Sequence, residues 1–576
     1  MTNGIIANIL RNIGIYLEID SVPFKPRAYE KAAEIIEGMS GDLASIYKRG
    51  GLKALEDLPG IGISIAGHIE ELLKTGKLKY YEGLKKKTPV NLDEFSGIEG
   101  IGPKTIKILY EKLGIRNFNN LKKAVLGGKI KKISGFGIKS EQNILKSIEF
   151  AEKSGGRAVL GYVMPEIREI KARLSSLDIV SKAIIAGSAR RRKETIGDID
   201  TLVVSKKPAD AMRYFVSMPE VARVYAQGNT KSSVRLKNGL DVDLRVVPAE
   251  SYGSALSYFT GSKEHNVALR KIAIDKGLKL NEYGLYRRMA NNEWRMIAGK
   301  TEEEIYKALG LDYIEPELRE MTGELEAAKN HKLPKLIGYG DLKGDLHVHS
   351  DWTDGTYSIE KMAEAAIKEG LGYIAITDHT KRLAMTHGLD EKMIKKQWVE
   401  IDRLNKKFGG KFKILKGTEC DILKDGSMDL SDEILKKCDI VGASVHSLFN
   451  LFKKDQTERI KRAMSNPNVD IICHPTGRVL NKREGYQVDI DEIIMHAKKT
   501  STVLEINSFP DRLDLKDEHV RKCVGVGVKM AISSDGHSTE HFKYLEYGIA
   551  QARRGWATKR DIINVWDLDK MLKVLK

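Results

Sequence analysis

The stretch from Ala186 to Val204 constrains the fold more than any other part of the chain. Its sequence, AGSARRRKETIGDIDTLVV, places a Gly-Ser turn ahead of Asp198 and Asp200, and an apolar run follows them. This pattern indicates a turn beside a β-strand. Because alternate residues of a strand point to the same face of a sheet, the two carboxylates are predicted to lie side by side. Like charges held this close repel each other, and a divalent cation between them removes the repulsion.

A third carboxylate stands in a similar strand pattern. Asp243 lies in the alternating segment DVDLRVV, residues 241–247. Three carboxylates on neighbouring strands suit two Mg²⁺ ions that clamp an in-line phosphoryl transfer. Solvated acids on an edge strand are the alternative, but they would require neither the Gly-Ser turn nor the second acidic strand. Basic residues from Arg190 to Lys193 supply positive charge for phosphates.

The charge distribution favours a polyanionic partner for the first part of the chain. The 576 residues carry a net charge of +17. Residues 1–337 contain 56 Lys and Arg against 42 Asp and Glu, whereas the remainder contains 40 against 37. A basic surface that serves only solubility would not explain this asymmetry.

Cysteine usage and hydropathy exclude several protein classes. The four cysteines show no CxxC spacing, which excludes a disulfide framework and a zinc ribbon. The sequence shows no signal-peptide pattern and no apolar run approaching about 18 residues. We therefore expect a cytoplasmic protein without membrane association, and a chain of this length is expected to form several domains.

Three Gly-x-Gly loops, each followed by a helical pattern, repeat within the first 150 residues. The glycine pairs are Gly60 with Gly62, Gly100 with Gly102, and Gly135 with Gly137. Glycines at a helix start let backbone amides hold a phosphate without reading base sequence. One such loop would more often be an ordinary turn, but three in a basic region predict helix-hairpin-helix DNA binding. Carbonyl groups of these loops are candidate ligands for Na⁺ or K⁺.

Histidines and acids recur at predicted strand ends after residue 337. These residues are His347, His349, Asp354, His379, Glu419, His446, His474, Asp535 and His537. The alternation of strands and helices predicts a β/α barrel, in which side chains at strand C-termini converge. Imidazoles and carboxylates together suit Zn²⁺, Mn²⁺ or Fe.

The motifs GS, DID and VDLRVV, together with YFTGS…N at residues 258–266, resemble the nucleotidyltransferase palm and nucleotide-binding subdomain of X-family DNA polymerases. The resemblance implies that Asp198, Asp200 and Asp243 are catalytic and hold Mg²⁺ or Mn²⁺. It implies nucleotide contacts by Gly187, Ser188, Arg191, Gly197, Tyr258, Phe259, Gly261, Asn266 and Arg270. Lys263 and Asp241 depart from the family, which has an acid and an arginine there.

Residues 24–33 and the first Gly-x-Gly loop resemble the small N-terminal domain of DNA polymerase beta. Lys25 and Tyr29 match the family's 5′-phosphate pocket, although a packing pair at a helix start is the alternative. His68 stands where the family has the lysine that forms a Schiff base. Because imidazole cannot form that imine, we predict little or no 5′-deoxyribose-phosphate lyase activity.

The C-terminal motifs HxH, TDH, GTE, VHS, CHP and SSDGH resemble the polymerase and histidinol phosphatase (PHP) domain. The resemblance implies that the nine residues above hold three metals and that the domain hydrolyses phosphate esters. Arg382, Arg478 and Lys482 are candidate phosphate clamps, with solvated loop charges as the alternative.

The resemblance extends over the chain and implies a multidomain fold. An all-α helix-hairpin-helix region precedes an α+β palm with a small α/β nucleotide-binding subdomain, and a (β/α) barrel-like PHP domain follows. The predicted boundaries are 1–80 and 81–153 for DNA binding, 154–248 for the palm, 249–330 for the nucleotide subdomain, 331–339 for a linker and 340–576 for the PHP domain.

The predicted function is gap-filling synthesis in base excision repair, coupled to cleaning of 3′ ends. The expected partners are gapped or nicked double-stranded DNA and deoxynucleoside triphosphates, and the expected state is a nucleoid-associated monomer. The PHP half is predicted to act as a 3′-5′ exonuclease, apurinic-site endonuclease or 3′-phosphatase. The main alternative is a PHP nuclease whose front half only binds DNA, works weakly or adds nucleotides without a template, and a non-catalytic DNA-bridging scaffold is a further one.

Overall fold

The computed structural model describes residues 3–39, 43–58, 60–95, 101–138, 140–142, 144–145, 148 and 156–575. The chain divides into two compact units, Met1–Arg157 with Val479–Glu484, and Ala158–Arg478 with Gly485–Lys576. Among the described residues, no helix combines the length and apolar character needed to cross a membrane.

The first unit is helical where it is described. Its helices are Asn3–Ile19, Lys25–Gly38, Leu43–Glu56, Ile63–Thr75, Lys79–Lys87, Pro103–Leu113 and Phe118–Leu126, with 3₁₀ turns at Leu92–Glu94 and Ile130–Lys132. Their apolar faces share one core, in which Leu10, Ile36 and Ile69 are fully buried.

Two of the predicted Gly-x-Gly loops end immediately before a helix. Gly62 precedes Ile63–Thr75 and Gly102 precedes Pro103–Leu113. Gly60 has a φ of +73° and Gly135 has a φ of +90°. Residues other than glycine rarely adopt such positive φ angles. The predicted Gly100 lies outside the described residues.

The second unit begins with a mixed sheet. Its strands are β1 (Ala158–Val159), β2 (Val180–Ile185), β3 (Thr195–Ile196), β4 (Asp198–Ser205), β5 (Val221–Gln227), β6 (Lys231–Leu236) and β7 (Asp241–Val246). The main sheet has the order β2-β4-β7-β6-β5, and β1 pairs with β3. Strands β4 and β7 run parallel, whereas the other pairs in the main sheet are antiparallel. Helices Leu160–Ser175, Gly187–Arg190 and Pro208–Val216 connect these strands.

A small α/β subdomain follows the mixed sheet. It contains helices Tyr252–Thr260, Lys263–Asp275, Glu302–Ala308 and Glu324–Lys329, and strands β8 (Leu278–Asn281), β9 (Gly284–Arg288) and β10 (Trp294–Ala298). The strands form an antiparallel sheet in the order β10-β9-β8. Leu269, Ile305 and Tyr306 are buried in its core.

Parallel strands in sequential order form the C-terminal barrel. They are β11 (Gly344–Val348), β12 (Tyr373–Ile376), β13 (Lys413–Asp421), β14 (Ile440–Ser444), β15 (Ile471–Ile472), β16 (Val503–Asn507) and β17 (Met530–Ser533). A parallel bridge between Val348 and Gly536 joins the two ends of the sheet.

Helices cover the outside of the barrel, so most barrel strands are buried along their whole length. These helices are Ile359–Lys368, Glu391–Phe408, Asp432–Leu435, Lys453–Met464, Ile490–Thr500, Asp517–Val526 and Leu545–Arg554. Helix Leu568–Leu572 instead packs on the opposite face of the strands, where Met571 joins Leu346, Tyr373 and Leu415 in a separate cluster.

Candidate active sites

The three predicted carboxylates share one face of the mixed sheet. In the parallel pair β4 and β7, Asp200 lies opposite Asp243 and Asp198 lies opposite Asp241. Burial and then the charges of Asp198 and Asp243 raise the pKa of Asp200 to about 6. A bound cation would relieve this repulsion, so the geometry suits the predicted metal site.

Asp241 shares that face but differs in its surroundings. It accepts two hydrogen bonds of 2.8 Å from the guanidinium of Arg235, which lowers its pKa despite a small opposing effect of burial. Asp243 instead accepts from the Ser233 hydroxyl at 2.6 Å and lies 3.2 Å from Lys231 Nζ. Asp241 is therefore already neutralised by a dedicated arginine.

The Gly-Ser turn makes room for Asp200. Gly187 has a φ of +62°, and a Cβ atom there would lie 2.5 Å from Asp200 Oδ2. The amide of Ala186 also donates to the Asp200 carbonyl at 2.7 Å. Glycine is therefore required at position 187, because any side chain there would collide with the Asp200 carboxylate.

The basic run after this turn is fully engaged in ion pairs. Arg190 Nη2 lies 2.6 Å from Glu302, Arg192 Nη2 lies 3.5 Å from Glu546, and Lys193 Nζ lies 3.9 Å from Glu320. Arg191 Nε donates to Glu320 at 2.9 Å, and its Nη1 donates to the Thr260 carbonyl. A phosphate ligand must therefore compete with existing carboxylate partners.

Predicted nucleotide contacts meet in the α/β subdomain. Tyr258, Asn266 and Arg270 line one small pocket together with Ser254, Ser257, Leu269, Leu280 and Asn281. The Asn266 amide donates to the Tyr258 carbonyl at 2.6 Å, and Tyr258 packs edge-on against Phe259.

Two glycines that were predicted to contact the nucleotide, Gly261 and Gly197, lie beside charged residues. Gly261 has a φ of +72°, and a Cβ atom there would lie 3.1 Å from Arg191 Nη1. Gly197 is exposed next to Asp198. A side chain at position 261 would therefore crowd the Arg191 guanidinium.

In the first unit, the two residues matched to a 5′-phosphate pocket, Lys25 and Tyr29, have different surroundings. Tyr29 is 5% exposed, and its hydroxyl lies 3.0 Å from His68 Nδ1. His68 also stacks on Tyr80, and burial lowers the pKa of His68. Lys25 is exposed. Tyr29 and His68 thus form a neutral pair, which favours the packing interpretation for Tyr29.

All nine predicted metal ligands converge at the C-terminal edge of the barrel strands. Three groups of possible ligand atoms unite eight of them: His349, Asp354, His379 and His537; His347, His349 and Asp535; and His379, Glu419 and His446. The ninth, His474, has its Nε2 2.8 Å from Glu419 Oε1. Glu419 therefore lies at the centre of the cluster.

Cys473, which the sequence did not single out, lies close to His347 and Glu419. Burial raises the pKa of its thiol to about 12, so the thiol stays protonated near neutral pH.

The buried histidines fit a metal cluster because several ring nitrogens lack a hydrogen-bond partner. These atoms are His347 Nε2, His349 Nδ1 and Nε2, His379 Nδ1 and His474 Nδ1. A buried polar atom without a partner costs about 1–3 kcal/mol. Cation binding would satisfy these nitrogens, and a mixed imidazole and carboxylate set suits Zn²⁺, Mn²⁺ or Fe.

Two carboxylates that the sequence motifs do not indicate orient candidate ligand histidines. Glu505 Oε1 lies 2.7 Å from His347 Nδ1, and Asp421 Oδ1 lies 2.9 Å from His446 Nδ1. Such partners fix the tautomer of a metal-binding imidazole. The sequence does offer an indication for Asp421: it lies two residues after Glu419 and hence on the same face of β13.

The predicted phosphate clamps Arg478 and Arg382 have different surroundings, and an arginine that was not predicted lies at the cluster. Arg478 is 9% exposed, with its Nη2 2.7 Å from Glu194 and its Nε donating to the Arg512 carbonyl. Arg478 therefore links the segments that contain Glu194 and Arg512, which argues against a role as a phosphate clamp. Arg512, which was not predicted, has its Nε 3.4 Å from Asp535 Oδ2. Arg382 is exposed.

Comparison with known families matches four parts of the chain. A helix-hairpin-helix domain matches residues 1–78, and a SAM-like helix-hairpin-helix tandem matches residues 92–149. The DNA polymerase beta thumb matches residues 255–320, and the PHP domain matches residues 345–508.

Three relatives cover the whole chain or one of its halves. The DNA polymerase/3′-5′ exonuclease PolX of Bacillus subtilis (strain 168) is 39% identical over 574 residues, 99% of both chains. DNA polymerase lambda of Rattus norvegicus is 25% identical over 46% of this chain and 48% of its own. A probable phosphatase of Thermoanaerobacter sp. (strain X514) is 32% identical over 40% of this chain and 94% of its own. These matches confirm the predicted fold class, and the chain belongs to the PolX family, the X-family DNA polymerases that carry a PHP domain.

Proposed function

We propose that this chain is a DNA-directed DNA polymerase that fills gaps in double-stranded DNA and trims or cleans 3′ ends. The observation that carries the proposal is the placement of Asp198, Asp200 and Asp243 on one sheet face. This placement occurs in a chain that is 39% identical to a DNA polymerase/3′-5′ exonuclease over 99% of both chains.

At the palm, the carboxylates would hold two Mg²⁺ or Mn²⁺ ions. Such ions neutralise the charge that develops on the transferred phosphoryl group. Asp198 and Asp200 would bind both ions, and an Asp243 carboxylate oxygen would accept the proton of the primer 3′-hydroxyl.

The nucleotide would lie between the palm turn and the thumb pocket. Ser188 and Arg191 would bind the triphosphate, because a hydroxyl and a guanidinium both donate to phosphate oxygens. Tyr258 and Asn266 would contact the sugar and base in the pocket that they line. The edge-on contact of Tyr258 with Phe259 gives that wall the bulk to reject a ribose 2′-hydroxyl.

At the barrel, the nine converging ligands would hold three metals of the Zn²⁺, Mn²⁺ or Fe type. Such metals supply Lewis acidity and activate water at neutral pH. Glu505 and Asp421 would orient the imidazoles, and the Arg512 guanidinium beside Asp535 would bind the phosphate of the scissile ester. This chemistry suits a 3′-5′ exonuclease, an apurinic-site endonuclease and a 3′-phosphatase alike.

The helix-hairpin-helix segments would bind the DNA backbone. The N-termini of helices Ile63–Thr75 and Pro103–Leu113 follow glycines, so their free amides can approach phosphates closely. Na⁺ or K⁺ held by loop carbonyls would bridge to the phosphates. Such contacts position DNA without reading its sequence.

A gapped duplex with a 5′-labelled primer tests the two activities in one assay. With nucleotides and Mg²⁺, Asp243→Asn is expected to lower extension at least about a thousandfold and to leave 3′ degradation intact, because the lost contacts act in the transition state. His349→Ala is expected to abolish degradation and retain extension.

The control is Asp241→Asn, which removes a carboxylate from the same strand and face. Since Asp241 is paired with Arg235, this variant should retain at least about a third of the extension activity. Extension by Asp243→Asn at the wild-type rate would contradict the polymerase assignment. Degradation by His349→Ala at the wild-type rate would contradict the nuclease assignment.

A further inference from the structure

An arginine of the PHP domain reaches the proposed triphosphate site of the polymerase. Arg554 ends the barrel helix Leu545–Arg554 and is 7% exposed. Its Nη1 donates to the Arg191 carbonyl at 2.9 Å and to Glu320 Oε1 at 3.1 Å. Its Nη2 donates to Asp517 Oδ2 at 2.5 Å. With acceptors on three segments, the guanidinium has one well-defined position.

Glu320 is shared between Arg554 and Arg191. Its Oε1 accepts from Arg191 Nε at 2.9 Å and from Arg554 Nη1 at 3.1 Å. Burial alone would raise the pKa of Glu320, but the charges of Arg554, Arg191 and Lys193 outweigh burial and lower it. Glu320 is therefore a carboxylate that holds the guanidinium proposed to bind triphosphate.

A nucleotide that recruits Arg191 must take it from Glu320. A carboxylate left unpaired in a partly buried site is strongly unfavourable, because its lost hydration is no longer compensated. Arg554 remains within hydrogen-bond distance of the same Glu320 oxygen, so Glu320 keeps one cationic partner when Arg191 leaves. Without Arg554, Glu320 would depend almost entirely on Arg191, since Lys193 Nζ lies 3.9 Å away.

We propose that Arg554 of the PHP domain is a positioning residue of the polymerase, which keeps Glu320 paired so that Arg191 is available to the incoming nucleotide. This inference rests on the proposed triphosphate role of Arg191. It makes the nuclease domain a structural part of the nucleotide site, independently of nuclease chemistry.

The test measures gap filling by the full-length protein as a function of nucleotide concentration. Arg554→Gln is expected to raise the KM for the nucleotide about tenfold, with kcat within about threefold of wild type. Nuclease activity, assayed without nucleotides, should stay within about twofold. Arg554→Lys retains the charge and should restore part of the lost affinity.

The Glu320→Gln variant separates positioning from a loosened domain contact. It removes the anion that competes for Arg191, so the KM should fall about threefold below wild type. In that background, Arg554→Gln should no longer change the KM. A KM for Glu320→Gln at or above the wild-type value, or an equal effect of Arg554→Gln in both backgrounds, would overturn the inference. The Glu320→Gln result stands even if Arg554→Gln fails to fold.

Two further variants complete the experiment. Arg168→Ala removes another ion pair between the palm and the PHP domain, with Arg168 Nη2 2.5 Å from Glu546, and should leave the KM unchanged.

Arg191→Gln tests the proposed function itself. If Arg191→Gln raises the KM and Arg554→Gln does not, only the present inference fails. If Arg191→Gln leaves the KM unchanged, the triphosphate role of Arg191 and the inference both fail.

Discussion

Glu505 contacts two of the converging histidine segments with its two carboxylate oxygens. Its Oε1 lies 2.7 Å from His347 Nδ1, and its Oε2 accepts the backbone N–H of His474 at 2.6 Å. His347 Nε2 then lies 3.5 Å from Glu419 and 3.6 Å from Asp535. One fully buried carboxylate thus orients two candidate ligands toward the same cluster.

Glu505→Gln is expected to lower the affinity of the PHP site for metal about ten- to a hundredfold. The amide cannot accept as strongly from His347 Nδ1, so the tautomer with a free Nε2 is less favoured. The measurement is the metal that the full-length protein retains after dialysis against a graded chelator. Glu400→Gln is the control, since Glu400 accepts from the Trp352 indole at 2.9 Å and is absent from the converging groups. Equal metal retention by Glu505→Gln and wild type would contradict the assigned role.

Gly187→Ala is expected to abolish gap filling. The new Cβ would lie 2.5 Å from Asp200 Oδ2, so this carboxylate, which is proposed to bind metal, must move. The backbone at φ +62° adds strain of about 1–3 kcal/mol. Primer extension should fall at least about a hundredfold, because displacement of about 1 Å at a reacting group has effects of this size.

Gly323→Ala is the control for strain alone in that experiment. Gly323 has a φ of +105°, and no atom lies within 4 Å of its would-be Cβ. Both variants should lose thermal stability, but only Gly187→Ala should lose extension activity. Comparable activity losses in the two variants would show that strain, rather than displacement of Asp200, is the cause.

Glu302→Gln is expected to destabilise the second unit. Glu302 is 4% exposed, and its oxygens lie 2.5 Å from Arg319 and 2.6 Å from Arg190. Burial opposes ionisation, but the two arginines lower the pKa of Glu302 to about 2. Neutralising one partner of a buried ion pair costs about 3–5 kcal/mol, because an uncompensated charge stays buried.

Thermal unfolding measures this effect, with the exposed neighbour Glu303→Gln as the control. A loss of about 3 kcal/mol lowers the melting temperature by roughly 3–4 °C, because the entropy of unfolding grows with the size of the second unit. Glu303→Gln should stay within about 2 °C of wild type. An equal melting temperature for Glu302→Gln and wild type would show that the pair is not coupled to folding.

Local periodicity predicts which of the carboxylates and histidines share a strand face or a strand end. The alternation around Asp198 and Asp200 placed both on one strand face, and the register with β7 placed Asp243 beside Asp200. The histidines followed the same logic, because each stood at the end of a predicted strand. The spacing within each motif depends on residues close in sequence, whereas the pairing of β4 with β7 and the parallel barrel bring the separate motifs together.

Contacts between distant segments could not be predicted in this way. Glu505 contacts His347, which lies 158 positions away in the sequence, and Arg478 contacts Glu194, which lies 284 positions away. Nothing near Arg478 in the sequence indicates Glu194 as its partner, so the sequence leaves open whether this arginine is a phosphate clamp or a solvated loop charge. The docking of the barrel against the palm decides which arginines are free for substrate.

Glu166 is expected to make the stability of the palm pH-dependent. Its Oε1 is buried without a hydrogen-bond partner, and its Oε2 accepts from the Asn238 amide at 2.5 Å. Burial first, and then the charges of Glu220 and Glu169, raise the pKa of Glu166 from 4.5 to about 7. The folded state therefore binds more protons than the unfolded state between these two values. Stability falls as the pH rises from about 4.5 to about 7.

Glu166→Gln removes this penalty, because the amide carries no charge at either pH. The variant should match wild type at about pH 4.5 and exceed its free energy of unfolding by about 1–3 kcal/mol above pH 7. The measurement is the melting temperature of both proteins without added metal at pH 5 and pH 8, where the gain at pH 8 should be the larger. Glu169→Gln removes one repelling charge and should give a smaller gain of the same sign. A gain that is equal at both pH values would mean that Glu166 is not protonated in the folded state, and that amide packing alone stabilises the variant.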